Sequence, residues 1–309
     1  MTIKEIADVL KAHDNYEILT HNYPDGDCLG SGFALCIALQ QLGKNARVIT
    51  TELPQRFGYL TREVREQDFD AQFIISVDVA DEKLLGINRS AYEGRIDLCI
   101  DHHGSNCVNA PARYVEAEAA AAGEIIFALA KELGVNITKG IADCLYTAVS
   151  TDTGCFRYVN TTPRTLRIAA DLIELGCDSA YINKVNFETK SKRRVQLERE
   201  ILENMIFCAD DKCAIIYTTL EMVEGLSDDE TEGIASIPRE IEGVKMGITV
   251  REKPNGEYKV SARTNGDVDA CEFCKGFGGG GHIGAAGCTL HGTLEGSIER
   301  LIKAAEEML

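Results

Sequence analysis

Tryptophan is absent from this chain, proline occurs only six times, and basic residues are outnumbered, with 32 Lys and Arg against 49 Asp and Glu and a formal charge of −17. The shortage of positive charge excludes a coat for long nucleic acid, because such binding releases counterions by laying a basic surface on the phosphate backbone. An anionic ligand must therefore be small, with metals and a few local cations neutralising it. No apolar run approaches the length of a membrane span, and the opening Met1-Thr2-Ile3-Lys4-Glu5-Ile6 lacks the basic-then-apolar layout of a secretion signal. A cytoplasmic protein with no membrane partner is expected. Cysteine is plentiful, at twelve, but Cys36, Cys99, Cys144 and Cys208 lie inside apolar runs. In a reducing compartment such residues serve as small buried hydrophobes and not as a disulfide frame.

The chain is long enough for two domains, each with its own core. Residues 1–11 read as a short helix. Apolar runs at 16–19, 46–50, 72–77 and 95–100 read as strands, with helical spacing at 32–42, 119–133, 139–150 and 163–175. Strands alternating with helices predict a doubly wound parallel sheet. Thr162, Pro163 and Gly176 supply start and stop signals for the helix at 163–175. Residues 191–205 are charged and mildly periodic, and read as a connecting helix. After them come a strand at 213–218 and two strands at 244–252 and 257–263 joined by Pro254-Asn255-Gly256, which read as a hairpin. A short helix at 268–275, a glycine-rich loop and a last helix from Thr293 complete a smaller α/β domain. The expected division is 1–185, a helical linker at 186–206, and 207–309.

Polar residues collect where the strands end. His21, Asp25 and Asp27 follow the first strand in His21-Asn22-Tyr23-Pro24-Asp25-Gly26-Asp27, a turn by the chemistry of Pro24 and Asp25-Gly26. Asp78 follows the third strand and Asp101-His102-His103-Gly104 the fourth. Asp152 lies in Thr151-Asp152-Thr153-Gly154. Ligands of open α/β sheets bind at the carboxyl ends of the strands, and imidazoles mixed with carboxylates suit a manganese-type dication. Asp152, at a helix C-terminus, opposes the helix dipole and needs a nearby cation. Each group alone has an ordinary structural explanation, as a turn former, helix cap or loop residue. All of them at one sheet edge do not.

In these four signatures the sequence resembles the DHH phosphoesterase superfamily, over nearly its whole length. The resemblance implies two divalent metal ions, manganese first, with magnesium or cobalt as substitutes. His21 and Asp25 would hold one ion, Asp27, His102 and Asp152 the other, and Asp78 would bridge them. His103 would face the phosphate, and Asp101 would orient the histidines. Cys28 and Cys155, close to these residues in sequence, read as packing.

The second domain carries Phe277-Gly278-Gly279-Gly280-Gly281-His282, whose successive glycines let a backbone approach an anion closely. With His282 and the small residues after it, the stretch is similar to the DHH-associated domain of the same superfamily. There Gly279, Gly280, Gly281, His282 and an upstream arginine, here Arg263, would grip a nucleotide's phosphate and base. A rival zinc site, Cys271 and Cys274 with Cys288 and His291, has suggestive spacing. Cys288 and His291, three apart on an expected strand, would however face opposite sides.

Within the superfamily the two-domain length resembles the nanoRNase branch. Its members hydrolyse very short oligonucleotides to mononucleotides and dephosphorylate adenosine 3′,5′-bisphosphate. The partners implied are short oligonucleotides and small nucleotides, not long nucleic acid; a homodimer stays open. Three alternatives share the parts: a cyclic-di-AMP or pApA phosphodiesterase, a family-II-type inorganic pyrophosphatase, and a non-catalytic nucleotide sensor. The pyrophosphatase would need a basic Ser-Arg-Lys stretch, and Ser191-Lys192-Arg193-Arg194 stands in the expected linker.

Overall fold

Three short strands, each buried on both faces, build the centre of the first unit. In the computed structural model, which describes residues 1–231, 233–265 and 268–309, the chain divides into Met1–Thr189 and Lys190–Leu309. The first unit runs α1 (Ile3–Ala12), β1 (Tyr16–Leu19), α2 (Gly26–Gln41), β2 (Ala46–Ile49), β3 (Phe73–Val77), α3 (Arg89–Tyr92), β4 (Leu98–Asp101), β5 (Ala112–Val115), α4 (Ala122–Leu133), α5 (Lys139–Asp152), α6 (Pro163–Glu174) and α7 (Ser179–Asn183). Its sheet is parallel throughout, in the order β2-β1-β3-β4-β5.

Side chains of a strand alternate between faces, and the central strands divide their apolar residues accordingly. Tyr16, Ile18, Ile75, Val77, Leu98 and Ile100 join the large core under α1, α2, α4 and α5. Leu19, Ile74 and Cys99 join a smaller cluster with Val79, Leu85, Ile96 and Val108. One face thus carries the long helices, and the other only short helical turns and loops. That two-sided cover explains why these strands read as continuous apolar runs.

The second unit runs α8 (Lys192–Glu203), β6 (Ile206–Cys208), β7 (Cys213–Thr218), α9 (Asp228–Thr231), β8 (Met246–Glu252), β9 (Glu257–Thr264), α10 (Ala270–Lys275), β10 (Gly280–His282), β11 (Ala285–His291) and α11 (Leu294–Met308). Its mixed sheet has the order β10-β11-β9-β8-β7-β6, in which only β7 and β8 pair in parallel. Cys213, Ile215, Ile248 and Val260 pack on one face with Phe273 and Cys274 of α10 and Leu301 of α11. Ile216 on the other face joins Leu197 and Ile201 of α8. The helix expected to connect the domains therefore packs into the core of the second one.

Several boundaries differ from expectation. Helix α2 starts at Gly26, six residues earlier than its apolar spacing suggests, because the Asp25 carboxylate accepts the N–H groups of Asp27 and Cys28, both at 3.0 Å. Asp25 is thus the cap, and Asp27 lies inside the first turn. The edge strands β5 and β6 had no readable signal, being three or four residues long and only partly buried. The glycine-rich stretch is not a loop: Gly280–His282 pairs antiparallel with residues 285–287 as a hairpin. Among the described residues no helix is long and apolar enough to cross a membrane.

Candidate metal centre

Parallel pairing of β1, β3 and β4 brings their carboxyl ends side by side, which places His21, Asp78 and His102-His103 at one edge. Asp25 and Asp27 arrive through the turn into α2. Asp152 arrives at the end of α5, which crosses α2 so closely that a Cβ on Gly30 would stand 2.4 Å from the Cys144 carbonyl oxygen.

The side chains converge in two groups joined by one carboxylate. His21 Nε2 lies 3.7 Å from Asp25 Oδ2 and 4.0 Å from Asp78 Oδ2. His102 Nε2 lies 3.6 Å from Asp27 Oδ2, 3.5 Å from Asp78 Oδ1 and 3.6 Å from Asp152 Oδ2. Asp78 therefore turns one oxygen to each histidine. His21, Asp25 and Cys28 form one group whose ligand atoms all lie within 4.8 Å of each other; Asp27, His102 and Asp152 form another, and Asp78, His102 and His103 a third. Asp78 Oδ1 and His102 Nε2 are buried and have no hydrogen-bond partner among the described residues. Orphaned polar atoms facing each other across 3.5 Å are costly in a folded interior, and a bound dication satisfies both. The donors fit such an ion, since imidazole and carboxylate suit manganese-like dications.

Each of these side chains is held from behind. His102 Nδ1 lies 3.1 Å from the Ala119 carbonyl oxygen; donation there leaves the Nε2 lone pair facing the carboxylates. Asp101 Oδ1 accepts the ring Nδ1–H of His103 at 2.9 Å, and the backbone N–H groups of His102 at 2.7 Å and His103 at 3.2 Å. Asp101 thus orients the ring of His103 alone, while the ring of His102 is set by Ala119. Asn106 donates to Asp101 Oδ2 at 2.6 Å and to the Val79 carbonyl at 2.9 Å. Its role was missed in the sequence, where a polar residue three places past His103 carries no distinguishing mark. Asp27 also braces the fold, because its carboxylate accepts the N–H groups of Ala122 at 2.6 Å and Gly123 at 3.0 Å, and Ser31 Oγ–H at 2.9 Å. Helix α4 begins after Ala121, which offers no cap of its own; Asp27 supplies it from 95 residues away. Asp78 takes a left-handed backbone at φ +58°, which Asp tolerates better than most residues.

Electrostatics separates the carboxylates. Burial, then the charges of Asp152 and Asp25, push Asp27 well above the usual range. Burial and the charges of Asp27, Asp25, Asp101 and Asp152 do the same to Asp78. Burial raises Asp152 too, although His102 opposes it. For Asp25 burial is outweighed by His21 and by the N–H groups of the α2 cap, and the carboxyl stays low. Asp101 is likewise low, burial being outweighed by His103 and Asn106, and the Asp101 hydrogen bond raises His103. Carboxyls raised on folding contribute stability that is full below their unfolded pKa, about 4, and lost as pH rises through the folded value. Chelated protein should therefore lose melting temperature from about pH 4 toward neutral, and manganese should remove that loss. A profile unaffected by metal would contradict this balance.

In the second unit Arg263, Ala285 and His282 occupy one row across β9, β11 and β10. Directly paired residues share a face, so exposed Arg263 and His282 stand about 10 Å apart with small Ala285 between them. A Cβ on Gly279 would meet the Gly287 carbonyl at 2.2 Å and one on Gly281 the Ala285 carbonyl at 2.6 Å, whereas Gly280 has open space beside it. The first two glycines thus permit the hairpin, and the third leaves room for a ligand. The zinc reading gains nothing. Cys288 points inward and His291 outward, 3.8 Å from Glu257, and among the described residues no three ligand atoms gather there. Ser191 caps α8, and Arg194 pairs with Glu198 at 2.8 Å.

A parallel sheet with acidic and histidine side chains converging at its edge, joined to a mixed-sheet unit with a glycine hairpin, defines a class. Residues 16–149 match the DHH family, N-terminal domain, and 213–309 the DHHA1 domain; the chain belongs to the DHH family of phosphoesterases. It is 32% identical to the bifunctional oligoribonuclease and PAP phosphatase NrnA of Thermus thermophilus, over 98% of this chain and 93% of that one. The protein of the same name from Bacillus subtilis is 24% identical over 93% of each. Among solved structures, an exopolyphosphatase-related protein from Bacteroides fragilis superposes with a TM-score of 0.86 at 26% identity, covering 99% of this chain and 95% of that one. The exonuclease RecJ bound to manganese shares the fold with a TM-score of 0.56 at 15% identity, covering 100% and 95%.

Proposed function

We propose that the protein is a two-metal phosphoesterase that hydrolyses very short oligonucleotides to mononucleotides and removes a phosphate from adenosine 3′,5′-bisphosphate. The observation that supports this most is Asp78, whose two oxygens address separate groups while one of them, with His102 Nε2, lacks a hydrogen-bond partner among the described residues. The names of the relatives supply the substrate class. His21 and Asp25 hold one dication, Asp27, His102 and Asp152 the other, and Asp78 spans them. Manganese fits these donors, with magnesium or cobalt as substitutes. When bound, the ions supply Lewis-acid charge and lower the pKa of water. His103, oriented by its Nδ1–H hydrogen bond to Asp101, presents its outer edge to the substrate phosphate, and Asn106 keeps Asp101 in place. Arg263 and His282 bind a nucleotide's phosphate and base over the open side of Gly280. The domains act as Met1–Thr189 and Lys190–Leu309, in the cytoplasm.

The direct test is product analysis in manganese with a dinucleotide, adenosine 3′,5′-bisphosphate, cyclic di-AMP, pyrophosphate and a long RNA, each incubated separately. Fast release of mononucleotide from the dinucleotide, with the long RNA nearly untouched, is the expected result. Turnover of pyrophosphate alone would move the chain to the pyrophosphatases, and silence on all five would leave a nucleotide sensor. For the second unit, His282→Ala should raise KM for dinucleotides roughly tenfold or more with little change in kcat, since a lost hydrogen-bonded contact remote from the chemistry removes uniform binding. An unchanged KM would remove His282 from the substrate site.

A further inference from the structure

We propose that Cys28 is a third side-chain ligand beside His21 and Asp25, which gives this half of the centre a sulfur donor and a preference for borderline-soft dications such as zinc, cobalt or cadmium. The inference rests on the two-metal reading above and deepens it.

Cys28 lies in the first turn of α2, three residues after the capping Asp25, and is fully buried. Cys28 belongs to the large apolar core of the first unit. Yet its Sγ, a nitrogen of His21 and an oxygen of Asp25 all lie within 4.8 Å of one another. The hydrogen bond that the thiol donates is a long one, 3.9 Å to the Asp25 carbonyl oxygen, which leaves the sulfur free to turn. A buried carboxylate also faces this space: Asp78, 3% exposed, sends Oδ2 to within 4.0 Å of His21 Nε2, while its Oδ1, which has no hydrogen-bond partner among the described residues, faces His102 and His103. Burial and the charges of Asp25 and Asp78 push the thiol up, so it is an arriving cation that draws off the proton. Ligation breaks the S–H bond, sends the proton to solvent and forms a sulfur–metal bond, with no change of oxidation state. Thiolate selects softer metals than an all-oxygen and nitrogen set does, so the two halves of the centre differ: imidazole, carboxylate and sulfur on one side, imidazole and carboxylates on the other.

The test loads stripped protein with cobalt(II) and follows the near-ultraviolet band that only a thiolate–cobalt bond produces. Wild type should show the band, Cys28→Ser should lose it, and the same variant should lose about tenfold or more of its zinc affinity relative to manganese. A band that survives in Cys28→Ser, or is absent from wild type holding two cobalt ions, would overturn the proposal. Should Cys28→Ser fail to fold, X-ray absorption on zinc-loaded wild type decides. A sulfur neighbour at about 2.3 Å supports ligation, and nitrogen and oxygen neighbours alone overturn it. Wild type that binds two cobalt ions and hydrolyses adenosine 3′,5′-bisphosphate without the band would sink the sulfur ligand and leave the two-metal reading standing. Failure to bind any metal would sink both.

Discussion

Asp78→Ala should abolish turnover, with kcat down by at least about 10³-fold, and should lower the manganese content from two ions per chain to one or none. Metal-ion charge stabilisation is worth several kcal/mol, and each 1.4 kcal/mol is tenfold in rate. Asp78 is the carboxylate whose oxygens reach both histidine groups, 4.0 Å from His21 and 3.5 Å from His102. Its left-handed backbone makes alanine a strained replacement, so Asp78→Asn is the companion variant: asparagine accepts that conformation and keeps the volume. In chelator, stability should move the other way from activity. The carboxyl is raised by burial and by four neighbouring aspartates, so its removal relieves the chelated protein. With chelator the variant should melt higher than wild type, and with manganese lower. Near-normal activity in either variant would refute the bridging role.

Gly30→Ala should lower the melting temperature by roughly 5 °C, as overpacking a tight contact costs about 1–3 kcal/mol. The sign is informative because glycine to alanine inside a helix ordinarily stabilises by about 0.5–1 kcal/mol. Here the new Cβ would stand 2.4 Å from the Cys144 carbonyl, 3.0 Å from the Ala148 nitrogen and 3.1 Å from its Cβ, none of them the end of a flexible side chain. Gly32, two residues on in the same helix, is the control: its added Cβ would meet ordinary neighbours at 3.6–3.8 Å, so Gly32→Ala should be neutral or stabilising. Parting α2 from α5 also parts Asp27 from Asp152, so Gly30→Ala should weaken manganese binding as well. Equal melting temperatures for the two variants would show that the helices can shift to absorb the methyl.

The convergence of these side chains was legible because of how open parallel sheets are built. Each central strand is a short apolar run, each is followed directly by its polar residues, and parallel pairing leaves all carboxyl ends at one edge. His21, Asp25, Asp27, Asp78, Asp101, His102, His103 and Asp152 could therefore be named with no coordinates. The shared row of Arg263 and His282 was not legible, because it depends on a hairpin that the glycine run concealed.

Sequence by itself thus determined the class of fold and the family, since both follow from residue types and spacing within a few positions. Tertiary structure alone decided which partner holds each donor. The cap that Asp27 places on α4, the Ala119 carbonyl behind His102, the Asn106 clamp on Asp101 and the approach of Gly30 to Cys144 join segments that lie apart in the chain. Such contacts arise only when helices and strands have packed, and no periodicity or short motif records them. Cys28 belongs with these. Its neighbours in sequence suggested packing, and only the turn of α2 brings its sulfur beside His21.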